Sequence, residues 1–214
     1  MIEIDNTISP LHFPNSTLYY TKDENRIVKV CKNRPKTCPL GASWLRHYQM
    51  ITKDNDYFVK VYATDNYNTI EMEKLDIVCD VRHLLEYKNR RLYKDLLNKQ
   101  IFLDIMIAMQ STWLSMHQTS VFDDDNDDDR YVLHGDYTLA NLVITKDRKV
   151  KLVDPDSVGW FDLSESMRYV RKFYMSQMEL MNSFQDFYYS EQFDILNNKR
   201  KKLQSKISEM NKNV

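Results

Sequence analysis

His134, Gly135 and Asp136 are followed, five residues after the aspartate, by Asn141, and Asp154 closes the apolar run KVKLVD (149–154). These residue types suit one kind of work. A carboxylate such as Asp136 can accept a hydrogen bond from a hydroxyl and then its proton. The side-chain oxygens of Asn141 and Asp154 are hard ligands of the kind Mg²⁺ takes while keeping several waters. Two strand-like pieces, 141–146 and 149–154, flank the turn Lys146-Asp147-Arg148, which would fold Asn141 back toward Asp154. A proton acceptor beside two metal ligands suits phosphoryl transfer to a hydroxyl, where the acceptor is oriented, the phosphates are held and Mg²⁺ is fixed across them.

HGDYTLAN (134–141) and KVKLVDPD (149–156) together resemble the signature of the protein-kinase-like fold. The match is closest to the aminoglycoside and choline phosphotransferase branch. Relatives of that branch include the Rio kinases, the small kinase of the tRNA-threonylcarbamoyl complex and the lipopolysaccharide-core kinases. Protein kinases carry His-Arg-Asp at this place, and this group carries His-Gly-Asp. The resemblance implies ATP and Mg²⁺ as cofactors. It implies Asp136 as catalytic base, Asn141 and Asp154 as metal ligands, and His134 as a brace of the loop. Asp162, in GWFDLSES, looks like the structural aspartate that opens the family's next helix. Lys29, in RIVKV, stands where the third strand of this fold carries its ATP-phosphate lysine. The segment Glu71 to Leu75, with Glu71 and Glu73, would lie against the adenine. Asp156 is a candidate second carboxylate facing the metal, with a solvated loop acid as the plain alternative.

The elements that must position these residues follow from periodicity. Thr17–Tyr20 and Arg26–Cys31 are β-branched and aromatic runs about a polar turn, a hairpin pattern. A loop over 33–40 is marked by Pro35 and Pro39. A short helix is predicted over 41–52, with Trp44, Leu45, Tyr48 and Ile51 on one face. A second hairpin is predicted over 57–64 and 69–75. Helical spacing then predicts helices over 78–88 and 91–118, strands at 131–134, 141–146 and 149–154, and closing helices over 163–189 and 191–211. The expected fold is α+β: a two-lobed protein-kinase-like unit, with a reduced N-terminal antiparallel sheet lobe over 1–76 and a helical C-terminal lobe over 77–214.

Three departures from the family pattern narrow the expected activity. The segment between the first strands, HFPNSTLYY, has no glycine, so Asn15, Ser16 and Thr17 are the candidate phosphate donors there, with an ordinary turn as the equal alternative. No acidic residue occurs between Glu24 and Asp54, so the helix over 41–52 cannot supply the carboxylate that protein kinases pair with their strand lysine. DPD (154–156) is followed within a few residues by Asp162 and a helix, leaving no room for a peptide-docking activation segment. These features point to a small-molecule or saccharide acceptor. A Rio-like atypical protein kinase or ATPase, or a pseudokinase binding nucleotide or a partner, are the alternatives.

Composition bounds the rest. A net charge of −1 argues against a protein that grips nucleic acid through its phosphates. Cys31, Cys38 and Cys79 have no metal-ligand spacing and read as thiols. The N-terminus lacks a secretory pattern and no apolar run reaches membrane-spanning length, so a cytoplasmic setting is expected. The acidic run 123–129 reads as a solvated loop. Oligomeric state is not encoded in any of these patterns.

Overall fold

The computed structural model describes residues 3–23, 25–32, 41–65, 68–86, 89, 92–119 and 130–212. The predicted loop 33–40 with Cys38 and the acidic run 123–129 lie outside the described residues. The architecture is α+β with antiparallel sheets. Two compact units divide the chain, Met1–Ser176 and Gln177–Val214. All the sheets lie in the first unit.

Five strands form the larger sheet: β1 (Leu11–His12), β2 (Ser16–Tyr20), β3 (Arg26–Cys31), β4 (Val61–Thr64) and β5 (Thr69–Glu73). Their order is β1-β2-β3-β5-β4. Lys29 sits opposite Leu18 on one neighbour and Ile70 on the other. Successive side chains on a strand point to opposite faces. Val28 and Lys29 are both buried, so both faces of β3 are covered. β4 begins later than the sequence pattern suggests because the preceding residues are committed elsewhere. Val59 N–H donates to Leu152 C=O at 3.0 Å, and Leu152 N–H donates to Tyr57 C=O at 2.6 Å.

Helix α1 (Ala42–Thr52) buries Tyr48 and Ile51, and Trp44 stacks on Tyr48 with ring centroids 5.2 Å apart. Tyr48 is fully enclosed and its hydroxyl donates to Val59 C=O at 2.7 Å. A buried hydroxyl with a partner avoids the penalty of an unmade hydrogen bond.

The chain leaves the five-stranded sheet after Glu73. Strand β6 (Ile77–Asp80) pairs with β8 (Leu142–Thr145), which pairs with β9 (Val150–Leu152). The sequence reading of 78–88 as a helix is corrected here. Ile77 and Val78 are β-branched and meet an open edge of β8. The helix α2 is only Val81–Leu85, and the Asp80 carboxylate caps it by accepting His83 N–H at 2.8 Å. Helix α3 spans Lys99–Gln118, starting later than the predicted residue 91. Asn98 sets that start by accepting Ile101 N–H at 3.0 Å. Its buried face runs through Ile101, Ile105, Ala108, Thr112 and Met116.

Strand β7 (Tyr131–His134) pairs antiparallel with β10 (Val158–Phe161), a strand the sequence reading did not anticipate. Helix α4 is continuous over Leu163–Lys212, not broken near residue 190. No proline or glycine follows Gly159, so nothing in the sequence stops it.

Candidate active site

His134 ends β7 and is 2% exposed. Asp136 N–H donates to its Nδ1 at 3.2 Å, and its Nε2 lies 3.0 Å from Val153 C=O. A ring nitrogen that accepts carries a lone pair, and one facing a carbonyl carries the hydrogen. His134 is therefore the neutral Nε2–H tautomer, and burial holds its pKa below the ordinary histidine value. The ring thus ties the loop after β7 to the end of β9.

Gly135 N–H donates to Ser157 C=O at 2.7 Å. A Cβ at this position would stand 3.3 Å from Phe161 Cζ and 3.4 Å from the Ser157 carbonyl oxygen. The close approach of the 155–161 backbone explains a glycine between His134 and Asp136. Beneath the loop, Tyr137 is buried, its hydroxyl 2.7 Å from Thr112 Oγ1, with its pKa pushed up by burial.

The Asp136 side chain is 54% exposed. Two donors hold it: Lys172 Nζ donates to Oδ1 at 3.0 Å and Asn141 Nδ2 to Oδ2 at 3.2 Å. Asn141 Nδ2 also donates to Asp136 C=O at 2.7 Å, which leaves Oδ1 as the ligand-capable atom of that amide. Asn141 ends a one-turn 3₁₀ helix, Leu139–Asn141, and its carbonyl accepts Val153 N–H at 2.9 Å. That bond brings Asn141 beside Asp154.

Asp154 adopts a left-handed backbone, φ 66° and ψ 53°, which aspartate tolerates better than most residues. Ser157 Oγ donates to its Oδ2 at 2.7 Å. Lys29 Nζ donates to Asp154 Oδ1, and to Asp156 Oδ1 at 2.5 Å. Cys31 Sγ donates to Asp156 Oδ2 at 3.1 Å. Burial alone would lower the Lys29 pKa, but Asp156 and Asp154 outweigh it and hold the ammonium above its ordinary value. Burial likewise opposes the Asp154 carboxylate, and the Lys29 charge outweighs it and holds Asp154 below the usual range.

A cleft of about 380 Å³ opens over these groups. Leu18, Ile27, Val59, Met72, Ile77 and Val153 form apolar walls, and Ser16, Lys29, Glu73, Asn141 and Asp154 supply polar ones. Five of the residues singled out by sequence therefore share one cleft. Asp136, His134, Thr17, Glu71, Asp156 and Asp162 do not line it; Asp136 is tied to it through its hydrogen bond with Asn141. Thr17 is buried with Oγ1 3.2 Å from His12 Nδ1. Glu71 lies on the face of β5 opposite Met72, pairs with Arg26 at 2.9 Å and lines a separate groove. Glu73 reaches the cleft with its carboxylate already engaged, accepting Lys151 Nζ at 3.1 Å and Lys60 N–H at 2.8 Å. Asp162 accepts Glu165 N–H at 2.8 Å and the Ser164 hydroxyl at 2.7 Å, capping α4, and the Glu165 bond leads in holding its pKa down.

Sequence reasoning missed Lys172 and Lys151. Lys151 alternates with Val150 and Leu152 in β9 yet is itself buried, so a polar residue in a short apolar strand was the available signal. Lys172 lies one turn from Tyr169 on α4, with nothing in the spacing to link it to Asp136.

Among the described residues, no three His, Cys, Asp or Glu side chains gather into a metal cage. An amide oxygen and a carboxylate beside an open cleft nonetheless suit Mg²⁺, which takes its remaining ligands from phosphate and water. No helix among the described residues is long and apolar enough to cross a membrane.

No family model matches the sequence, and no curated protein matches it. Among solved structures, the chain is similar to the Cydia pomonella granulovirus kinase PK-1, at 19% identity and a TM-score of 0.48. The match covers 72% of this chain and 52% of that one, so this chain spans about half the length of the kinase it matches.

Proposed function

We propose that the protein is an ATP- and Mg²⁺-dependent phosphotransferase that moves the γ-phosphoryl group to a hydroxyl of a small molecule or saccharide, in a cytoplasmic setting. The observation that carries this reading is that Asn141, hydrogen-bonded through its side chain to exposed Asp136 and through its carbonyl to the Val153 N–H that precedes Asp154, lines one cleft together with Asp154 and Lys29.

Each residue then has a task. The apolar walls from Leu18, Ile27, Val59 and Met72 suit a purine face, and the Lys29 ammonium suits its phosphates. Asn141 Oδ1 and the Asp154 carboxylate would hold Mg²⁺, which when bound neutralises charge on the phosphates. Asp136, exposed and oriented from two sides, accepts a hydrogen bond from the acceptor hydroxyl and takes its proton as the oxygen attacks the γ-phosphorus and the bond from that phosphorus to the β,γ-bridging oxygen breaks, releasing ADP. The chain passes from Asp156 through the four-residue β10 straight into α4, so a peptide acceptor has little to dock against. That favours a small acceptor over a Rio-like protein substrate.

One feature favours the rival reading, a nucleotide-binding module without transfer. The turn before β2 has no glycine, and of Asn15, Ser16 and Thr17 only Ser16 lines the cleft.

The test is turnover of labelled ATP with Mg²⁺ across a panel of hydroxyl acceptors, with Asp136→Asn and Asp154→Asn beside the parent protein. Phosphoryl transfer lost in both variants, with Mg²⁺-dependent ATP binding lost in Asp154→Asn alone, is the expected result. ATP binding without any transfer would favour the binding module. No ATP binding at all would overturn both.

A further inference from the structure

Lys29 poses a problem of electrostatics. Its ammonium is buried, and a buried charge needs an anion close by. Helix α1 offers none, because no acidic residue occurs between Glu24 and Asp54. Two carboxylates from the turn after β9 take that place, Asp154 and Asp156.

The two carboxylates are not equivalent. Asp154 lines the cleft and Asp156 does not. The Asp156 side chain is 17% exposed against 31% for Asp154. Lys29 and Cys31 lie two residues apart on β3 and so project to the same face, where both donate to Asp156, one to each oxygen. The backbone under Asp156 is a one-turn 3₁₀ helix that opens with Pro155 and is closed by Ser157 N–H on Asp154 C=O at 3.0 Å. Proline fixes one backbone angle there.

We infer that Asp156 is the positioning residue for Lys29, a carboxylate from the catalytic turn standing in for the helix carboxylate that the sequence lacks. This rests on the nucleotide-binding reading of the cleft. With Mg²⁺ engaging Asp154, Lys29 keeps Asp156 as its anion and stays aimed at the phosphates. Asp156 is then not a metal ligand, although it lies two residues from one.

The test uses the full chain and five variants: Asp156→Asn, Lys29→Met, their double variant, Cys31→Ala, and Cys31→Ala combined with Lys29→Met. Urea unfolding without nucleotide measures whether Lys29 and Asp156 are coupled. Titration with a fluorescent ATP analogue, with and without Mg²⁺, measures what the coupling does. The expected result is non-additive unfolding, and analogue binding weakened about tenfold by Asp156→Asn with or without Mg²⁺. In the Lys29→Met background, Asp156→Asn then has no further effect. Should Asp156→Asn fail to fold, Cys31→Ala loosens the carboxylate while leaving its charge, and it weakens binding only where Lys29 is present. A binding loss that persists in Lys29→Met, or that vanishes without Mg²⁺, would make Asp156 a metal ligand and overturn the inference. Coupled unfolding in a parent protein that binds no analogue would overturn the reading of the cleft, leaving the pair a structural contact only.

Discussion

Lys172 donates from Nζ to Asp136 Oδ1 at 3.0 Å and to Gly135 C=O at 3.2 Å, so helix α4 reaches back across 36 residues to hold the exposed carboxylate of the loop. Asn141 holds the other oxygen. The pair is partly solvated, at 34% and 54% side-chain exposure, and ion pairs of that kind add little to stability. Its effect is on orientation.

On the proposed function, with Asp136 as base, Lys172→Met is expected to lower kcat for phosphoryl transfer by about tenfold, because a misaligned base loses catalytic geometry rather than binding. The KM for ATP changes by no more than about twofold, and Lys172→Arg recovers part of the loss. Steady-state kinetics on the three proteins checks this. An equal rise in KM with kcat unchanged would assign Lys172 to binding instead.

Acid sensitivity follows from His134. Its folded-state pKa is depressed below the ordinary value of 6.5, so between those two values the unfolded chain carries a proton that the folded one does not. Its contribution is fully present above pH 6.5 and declines as pH falls below it, at up to about 1.4 kcal/mol per pH unit. Urea midpoints between pH 7 and pH 5 measure the slope. His134→Gln, which keeps a donor and an acceptor without titrating, flattens it.

Buried Lys151 and half-buried Glu73 pair at 3.1 Å and link β9 to β5, with Lys151 also donating to Phe58 C=O at 3.2 Å. Removing one partner of a buried pair strands the other charge. Lys151→Met is expected to destabilise the protein by roughly 3 kcal/mol in urea unfolding. Because Glu73 also lines the cleft, the same variant weakens ATP binding.

The platform under the loop depends on the Tyr137 hydroxyl, which lies 2.7 Å from Thr112 Oγ1 and donates to Met109 C=O at 3.3 Å. Thr112→Val removes the better partner from a buried hydroxyl and costs about 1–2 kcal/mol. Tyr137→Phe adds less than its own single effect in that background, since the shared hydrogen bond is already gone. Thermal and urea unfolding of the four proteins in the cycle test this.

The part of the site that was legible in the sequence is the part built from contiguous motifs. His134, Asp136 and Asn141 lie within eight residues on one loop, and the turn 146–148 brings Asp154 back to them, so residue type and spacing sufficed. The hairpin strands β2 and β3 were legible because β-branched runs flank a polar turn. What escaped depends on tertiary partners. Strand β6 was taken into a helix because a short apolar run reads the same in either state, and only the edge of β8 decides it. β10 is four residues long and exists because β7 offers an edge. Glu71 and Glu73 share a face of β5 and looked alike in sequence, yet their tertiary partners differ: Glu71 pairs with Arg26, and Glu73, at the strand's end, pairs with Lys151 and lines the cleft. Lys172 reaches Asp136 only through the fold.

Helix α1 carries a final consequence. Its Trp44 indole donates to Val158 C=O at 3.0 Å, and the His47 ring meets Trp160 edge-on at 5.5 Å, so the helix is fastened to β10. It also carries no carboxylate for Lys29. A regulator that swings this helix toward or away from the cleft would neither form nor break an ion pair with the lysine. The carboxylates that Lys29 does meet, Asp154 and Asp156, belong to the turn after β9 and not to this helix.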